Sequence, residues 1–502
     1  MTNAKHHCPA DRRKYVLFVA ILASALGFID GSIVAVAIPQ IRDNLNASFV
    51  EIQWVANAYM LFLSALMLIG GAAGDRFGIR RTFALGISMF VGASLLCGLA
   101  PDAPFLIAAR ALQGAGAAIM VPGSMALIAR NFPKEDRGRA MGIWVAASSI
   151  TTAVGPFLGG VLLNWGGNEI WRWIFLINLP LGGVSLFYLM RMVPNDVPSA
   201  GGKIDSIGAI VITLTFGLLA LGLTFLGEGA SSSLPVWLIS AGLVVGLIAL
   251  YWESVTDDPM INLKLFKTRS FSGANLMTFL VWAGLGALFF YLPSLLITGW
   301  NLTEMHAGSM FLPFSILIAV LSPFAGRLVD RLGPRPFLTI GPLISALAYS
   351  VMANGILRQD YWFGILPAIM ILGVSLGTMA SPLSTAVMHA VQEADTGAAS
   401  GINNMIARLS HLFAIAGFGA FLAWVYANHI RSSTLPEDIQ DLMIEKGYGE
   451  RLTGGLYQIS TVEIQAHGMS IALASLCAVL VVFCLIGALV GWMTQPHSHS
   501  KP

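Results

Sequence analysis

Gly71-Ala72-Ala73-Gly74-Asp75-Arg76-Phe77-Gly78-Ile79-Arg80 decides the fold, because the chain writes it twice. Gly326-Arg327-Leu328-Val329-Asp330-Arg331-Leu332-Gly333-Pro334-Arg335 repeats the pattern G-x-x-x-D-R-x-G-x-R, with every matched position displaced by 255 residues. Each copy ends an apolar run of roughly 23 residues and precedes another, so each reads as a tight hairpin between two membrane-crossing helices. Gly71 is expected to let two helices approach closely, and Gly78 to supply the positive φ of a sharp turn. Asp75, near a helix end, can pair with an arginine or accept from backbone donors at a neighbouring helix start. A partly exposed clasp of this kind breaks and remakes easily. Gly71, Asp75, Arg76, Gly78 and Arg80, with Asp330, Arg331, Gly333 and Arg335, are therefore candidates for a gate. A charged loop that only sets orientation is the plainer alternative, and two copies in register weigh against it.

The composition fits that reading. The 502 residues are 56% hydrophobic and 11% charged, with a mean hydropathy of +0.75. Soluble proteins carry about a quarter charged residues, so most of this chain belongs in lipid. The net charge of +2 shows no basic stripe for nucleic acid. Cys8, Cys97, Cys477 and Cys484 have no metal-ligand spacing, and neither a disulfide nor a structural metal is expected. His6-His7-Cys8, His497 and His499 read as solvated tails. Asp11-Arg12-Arg13-Lys14 precedes about 24 apolar residues with no small-residue cleavage site, so the first span is expected to stay in the protein.

Apolar runs predict an all-α membrane protein of fourteen spans, roughly 15–38, 52–74, 82–99, 104–128, 139–163, 171–190, 206–226, 235–252, 273–298, 306–328, 336–354, 362–388, 398–425 and 469–493. With the N-terminus placed in the cytoplasm, 20 of the 28 Lys and Arg fall on that side and six on the other. That asymmetry sets both termini and both repeated loops inside, in a cytoplasmic membrane. The repeat matches spans 1–6 with 9–14 as two six-helix bundles related by pseudo-two-fold symmetry, with spans 7 and 8 inserted. The expected divisions are a tail (1–14), an N-terminal bundle (15–190), linkers with the inserted spans (191–272), a C-terminal bundle (273–493) and a tail (494–502). A short amphipathic helix is expected within 253–272. The acidic loop 426–468 reads as a solvated connector, with a small hairpin or helix as the alternative.

Of the 26 acids, one falls deep in a span: Asp30, in Phe28-Ile29-Asp30-Gly31-Ser32. A charge there costs about 3 kcal/mol or more, which marks a functional residue by default. Asp30 lies roughly 22 Å along the first span, and Arg110 roughly 9 Å from the opposite surface along the antiparallel fourth. The two are thus at similar depth and are expected to communicate, directly or through Gln113. Burial disfavours a carboxylate and a guanidinium favours it, so a motion that separates the pair would load a proton. A permanent structural ion pair is the alternative.

Several stretches resemble the major facilitator superfamily of transporters. The repeated loop is similar to its conserved cytoplasmic loop, and Arg110-Ala111-Leu112-Gln113-Gly114-Ala115-Gly116-Ala117 to its proton-transfer motif. Ala153-Val154-Gly155-Pro156-Phe157-Leu158-Gly159-Gly160 looks like the antiporter motif, implying that Gly155, Pro156, Gly159 and Gly160 serve export. Gln53-Trp54-Val55-Ala56-Asn57-Ala58-Tyr59, Trp171-Arg172-Trp173-Ile174-Phe175-Leu176-Ile177-Asn178-Leu179-Pro180 and Ser400-Gly401-Ile402-Asn403-Asn404 are similar to fourteen-helix drug:proton antiporters. The resemblance implies a multidrug exporter driven by the proton gradient, with no cofactor and no enzyme activity. Its partners would be a small molecule, protons and lipid, with a periplasmic adaptor protein where the host has an outer membrane.

Phe28, Trp54, Asn57, Tyr59, Phe290, Met310 and Phe314 are candidates for an adaptable cavity, together with Asn403, Asn404 and Arg408. Arg408 and His411 suggest a second relay or an anion site. The plainer readings are an Arg408 satisfied by carbonyls and by Asn403 or Asn404, and a packed neutral His411. A single intramembrane acid argues against dications and for a monovalent cation, a zwitterion or a neutral lipophile. Uptake of a specific metabolite by symport is the rival function. A membrane enzyme is disfavoured, because the acidic pairs Glu135-Asp136, Asp257-Asp258 and Glu437-Asp438 lie in loops without a His or Cys set.

Overall fold

The computed structural model describes residues 9–167, 169–194, 205–227, 233–256, 259–392, 395–449 and 459–496. His6-His7-Cys8, Asp257-Asp258, His497, His499 and the side chains of Asp75, Glu135 and Asp330 lie outside what is described. The described residues are helical, with no strand among them. The first bundle comprises α1 (Ala10–Leu45), α2 (Phe49–Phe77), α3 (Ile79–Gly98), α4 (Ala103–Asn131), α5 (Lys134–Leu163), the single turn α6 (Trp173–Leu176) and α7 (Asn178–Met192). An inserted hairpin follows, α8 (Ser206–Leu226) and α9 (Leu234–Val255). The second bundle holds α10 (Arg269–Ser294), the short α11 (Glu304–Ser309), α12 (Phe311–Leu332), α13 (Arg335–Leu357), α14 (Leu366–His389), α15 (Thr396–Arg431), a surface helix α16 (Glu437–Lys446) and α17 (Ile459–Thr494).

Local chemistry sets the boundaries. Ser48 and Glu51 form a reciprocal capping box at the start of α2. Asp102 caps α4 by accepting from the Phe105 N–H at 2.8 Å. Gly78 (φ 94°) and Gly333 (φ 74°) turn the chain in the two repeated hairpins, where a side chain would be strained. Thirteen helices among the described residues are long and apolar enough to cross a membrane. The remaining expected span is α5, 30 residues long, of which Val154–Leu163 is the apolar portion identified. The sixth span, expected over 171–190, runs Ile170–Met192: a 3-10 turn at 170–172 leads into α6 and α7, which join at Ile177 with helical backbone angles (φ −60°, ψ −24°). The chain between α15 and α17 is shorter than the expected 426–468 and carries α16, while the expected amphipathic helix in 253–272 is one 3-10 turn, Leu263–Lys267.

The two bundles repeat one packing scheme. In the first, α1 lies on α5, α2 on α4 and α3 on α7; in the second, α10 lies on α15, α12 on α14 and α13 on α17. The halves meet along two seams that exchange under the pseudo-two-fold, α2 on α15 and α5 on α12. Helix α8 rests against both α2 and α15, so the inserted hairpin lies alongside the first seam; Phe216 packs edge-on against Phe413 at 5.8 Å. We call the face bearing the repeated loops the motif face and its opposite the far face. At the far face the halves are tied together. Arg42 donates to the carbonyls of Tyr448 (2.9 Å) and Lys446 (2.5 Å), and Gln40 to Glu304 (3.3 Å). Burial pushes the Tyr448 phenol well above its ordinary range, so its hydroxyl stays neutral.

Candidate functional site

Asp30 is fully buried, and its carboxylate turns into the first bundle. Arg110 Nη1 donates to its Oδ2 in an ion pair whose two side chains are 0% and 2% exposed. The other oxygen, Oδ1, accepts from Gln113 Nε2 at 2.9 Å and from Asn178 Nδ2 at 3.2 Å. Ser94 accepts from both amides, at 3.2 Å from Gln113 and 2.9 Å from Asn178, and donates to the Phe175 carbonyl. Arg110 also donates to Gln113 Oε1 (2.7 Å) and, through Nε, to the Val55 carbonyl (3.0 Å). Its guanidinium lies 4.3 Å from the Tyr59 ring centroid. Five helices thus converge on one carboxylate: α1, α2, α3, α4 and α7. The two charges lost their water on burial, and this set of donors offsets much of that cost.

Asp30 meets Arg110 and Gln113, as their depths predict, and also Asn178 and through it Ser94, which sequence does not single out. Both are polar residues in apolar runs, and Asn178 stands at the start of α7, which packs on α1. Tyr59 lies within electrostatic range of Asp30, Arg110 and Arg408, and its hydroxyl donates to the Gly27 carbonyl at 3.3 Å.

The antiporter-like glycines place α5 between the halves. A Cβ at Gly155 would fall 2.2 Å from Ser32 Oγ and 3.2 Å from the Ile29 carbonyl, and one at Gly159 would strike Ile33, so α5 lies directly on the Asp30 segment of α1. One at Gly160 would fall 2.5 Å from the Glu304 carbonyl, while Gly308 faces the Pro156 carbonyl from the other side. Only residues without a side chain allow a backbone approach this close. Helix α5 thus packs on the Asp30 stretch of α1 on one side and on α11 of the second bundle on the other.

In the repeated hairpins, Arg80 donates to the carbonyls of Leu189 (3.3 Å) and Met190 (2.5 Å) near the end of α7, where a cation suits the helix dipole. Arg335 lies over Trp492 of α17 at 5.1 Å. Arg76 and Arg331 are exposed. The expected close approach at Gly71 is corrected: a Cβ there meets nothing within 4 Å, whereas at Gly70 it would fall 2.2 Å from the Ala118 carbonyl. The contact belongs to the preceding glycine, whose direction from α2 points at α4.

The expected cavity residues separate into groups. Phe290, Met310 and Phe314 are buried in the core, Phe314 against Phe289 at 5.1 Å. Gln53 and Asn57 are fully buried on α2, and all four of their amide atoms, with the Trp54 indole nitrogen, have no hydrogen-bond partner. Gln53 faces Gly419 of α15, so these groups lie along the seam between halves. Asn403 and Asn404 do not satisfy Arg408: Asn403 donates to Asn275 (3.0 Å) and Thr278 (2.7 Å), and Asn404 to the Ser400 carbonyl. Arg408 lies over the Phe28 ring at 5.6 Å. His411 packs beside Trp282 and bonds the Ala407 carbonyl at 2.8 Å, which fits a packed ring.

A model described as the Major Facilitator Superfamily matches residues 20–415. The chain is 28% identical to the multidrug resistance protein Stp of Mycobacterium tuberculosis over 93% of this chain and 91% of that protein. It is also 28% identical to the riboflavin transporter RibZ of Clostridioides difficile, over 81% and 88%. Its fold is similar to that of a bacterial homolog of the human lysosomal transporter Spinster, with a TM-score of 0.68 at 15% identity over 97% of this chain and 99% of that one.

Proposed function

The chain belongs to the major facilitator superfamily, in its drug-efflux type, and from that premise we propose that it is a proton-coupled exporter of small lipophilic compounds. We place it in a cytoplasmic membrane with the motif face and both termini inside, as the distribution of Lys and Arg supports. The observation that carries the reading is the Asp30–Arg110 pair. Oδ1 is held by two neutral amides, whereas the guanidinium is the partner of Oδ2. Oδ2 is thus the atom at which a proton and Arg110 exchange. With the cleft open to the far face, Asp30 takes a proton and Arg110 withdraws toward its other acceptors, Gln113 Oε1 and the Val55 carbonyl. When α5 moves against α11 and the cleft opens inward, Arg110 returns, the proton leaves to the cytoplasm and cargo enters. Each proton crossing with the membrane potential is worth about 2.3 kcal/mol per 100 mV.

Asp30→Asn in inverted vesicles tests this. Proton-driven accumulation of a dye should fall by about 100-fold, the scale of some 3 kcal/mol lost from an essential step. Full-rate accumulation by the variant would remove the coupling role from Asp30. The likeness to a riboflavin transporter favours a second reading, transport of one metabolite, including uptake by symport. The direction of flux separates the two, since symport would empty inverted vesicles that antiport fills.

A further inference from the structure

Arg408 lies roughly 18 Å along α15 from Thr396, about a third of the way along this 36-residue helix. Its guanidinium reaches out of the second bundle and stops over Phe28 of α1, in the first. That ring contact is its one partner among the described residues: no hydrogen bond or ion pair reaches it. The polar neighbours expected to satisfy it are occupied elsewhere, Asn403 by Asn275 and Thr278, Asn404 by Ser400, and the His411 ring nitrogen by Ala407. The side chain is part-buried, at the junction where α15 of the second bundle meets the first.

A guanidinium does not give up its charge in a protein. Held inside a membrane protein against an aromatic face alone, it is a cation still short of an anion. The acid of the first bundle does not serve, because Asp30 is held by Arg110. A cationic cargo entering here would meet an uncompensated positive charge and no free carboxylate. The planar fork of an arginine instead matches a carboxylate in two parallel hydrogen bonds. Phe28 beside it offers an apolar wall to the body of the same molecule.

We propose that Arg408 docks the carboxylate of the transported compound, so that the cargo is an amphiphile bearing one anionic oxyacid group, as an anion or a zwitterion. This rests on the exporter reading above and narrows its substrate class. The test uses the purified full-length protein in detergent and three probes of one shape: 1-naphthoate, methyl 1-naphthoate and a naphthylmethyl trimethylammonium salt. Tryptophan quenching should rank naphthoate at least tenfold tighter than either of the others. Arg408→Gln should weaken naphthoate at least tenfold and the ester less than twofold, with Arg408→Lys between. Equal binding of the three probes by the native protein would overturn the proposal, and that ranking decides the matter even where Arg408→Gln fails to fold. So would an Arg408→Gln variant that folds and binds naphthoate normally. Displacement of naphthoate by phosphatidylglycerol but not by phosphatidylcholine would assign the site to a lipid phosphate and likewise overturn it. In inverted vesicles, accumulation of the ester but not of naphthoate sinks the substrate class and leaves the exporter standing. If no probe moves under a proton gradient it is the exporter reading that fails, and the binding ranking still judges Arg408.

Discussion

Arg110 and Arg408 are both arginines inside the membrane region, one in each bundle, yet their surroundings are opposite. Arg110 is 2% exposed and spends its donors on Asp30, Gln113 and the Val55 carbonyl. Arg408 has the Phe28 ring alone. In the first, a buried pair is tolerated because the carboxylate and the guanidinium each hold several hydrogen-bond partners. The second is an interior left incomplete along the junction of the halves, as are the unpartnered amides of Gln53 and Asn57 on the facing helix. A transporter needs both kinds of place. A closed network can hold a proton out of reach of water, and an open one can be completed by something that later leaves.

Stability measurements can break this comparison. Arg110→Leu strands the Asp30 carboxylate, and an orphaned buried charge costs about 3–5 kcal/mol. Thermal unfolding in detergent should show that loss, while Arg408→Leu should stay within about 0.5 kcal/mol of the native protein or rise above it, since no partner is abandoned. Equal losses would mean that Arg408 is as well satisfied as Arg110. A smaller effect sharpens the roles within the closed network. Asn178→Ala removes one donor to Asp30 Oδ1 and one to Ser94, at about 1–3 kcal/mol of stability. Proton-driven transport should fall several-fold with it, since the carboxylate loses a group that orients it. An unchanged transport rate would reduce Asn178 to a packing residue. The smallest effect is expected at Asn403→Ala, which loses contacts to Asn275 and Thr278 at about 1 kcal/mol. Its preference for naphthoate over the ester should match the native protein. A changed preference would return Asn403 to the neighbourhood of the Arg408 charge.

Much of the architecture could be read from the residues in order. Two hairpins in register imply a duplicated bundle, because a period of that length in an apolar chain repeats a packing scheme, and the helix pairings repeat accordingly. Asp30 stood out since a lone acid in an apolar run is costly wherever the helix points. Depth along antiparallel helices then brought it to Arg110, because rise per residue is fixed. The failures share another origin. Gly70, not Gly71, makes the close approach, since one residue turns the helix face by about 100° and sequence carries no phase relative to a neighbour. Asn178 reaches Asp30 from 148 positions away, a contact between distant helices that apolar periodicity does not signal. The neighbours of Arg408 were assigned by proximity in the chain, and they turned out to bond elsewhere.

By itself, then, the sequence determined the class of protein, the two bundles with an inserted hairpin, and the one acid set deep in an apolar span. Those follow from hydrophobicity, helix rise and the energetic penalty of a charge in lipid, which are properties of single residues and their spacing. Only the tertiary structure decided which polar groups are satisfied and which are left open. Hydrogen bonds reach about 3 Å and depend on direction, so whether a buried group has a partner is fixed by how helices from distant parts of the chain turn toward one another.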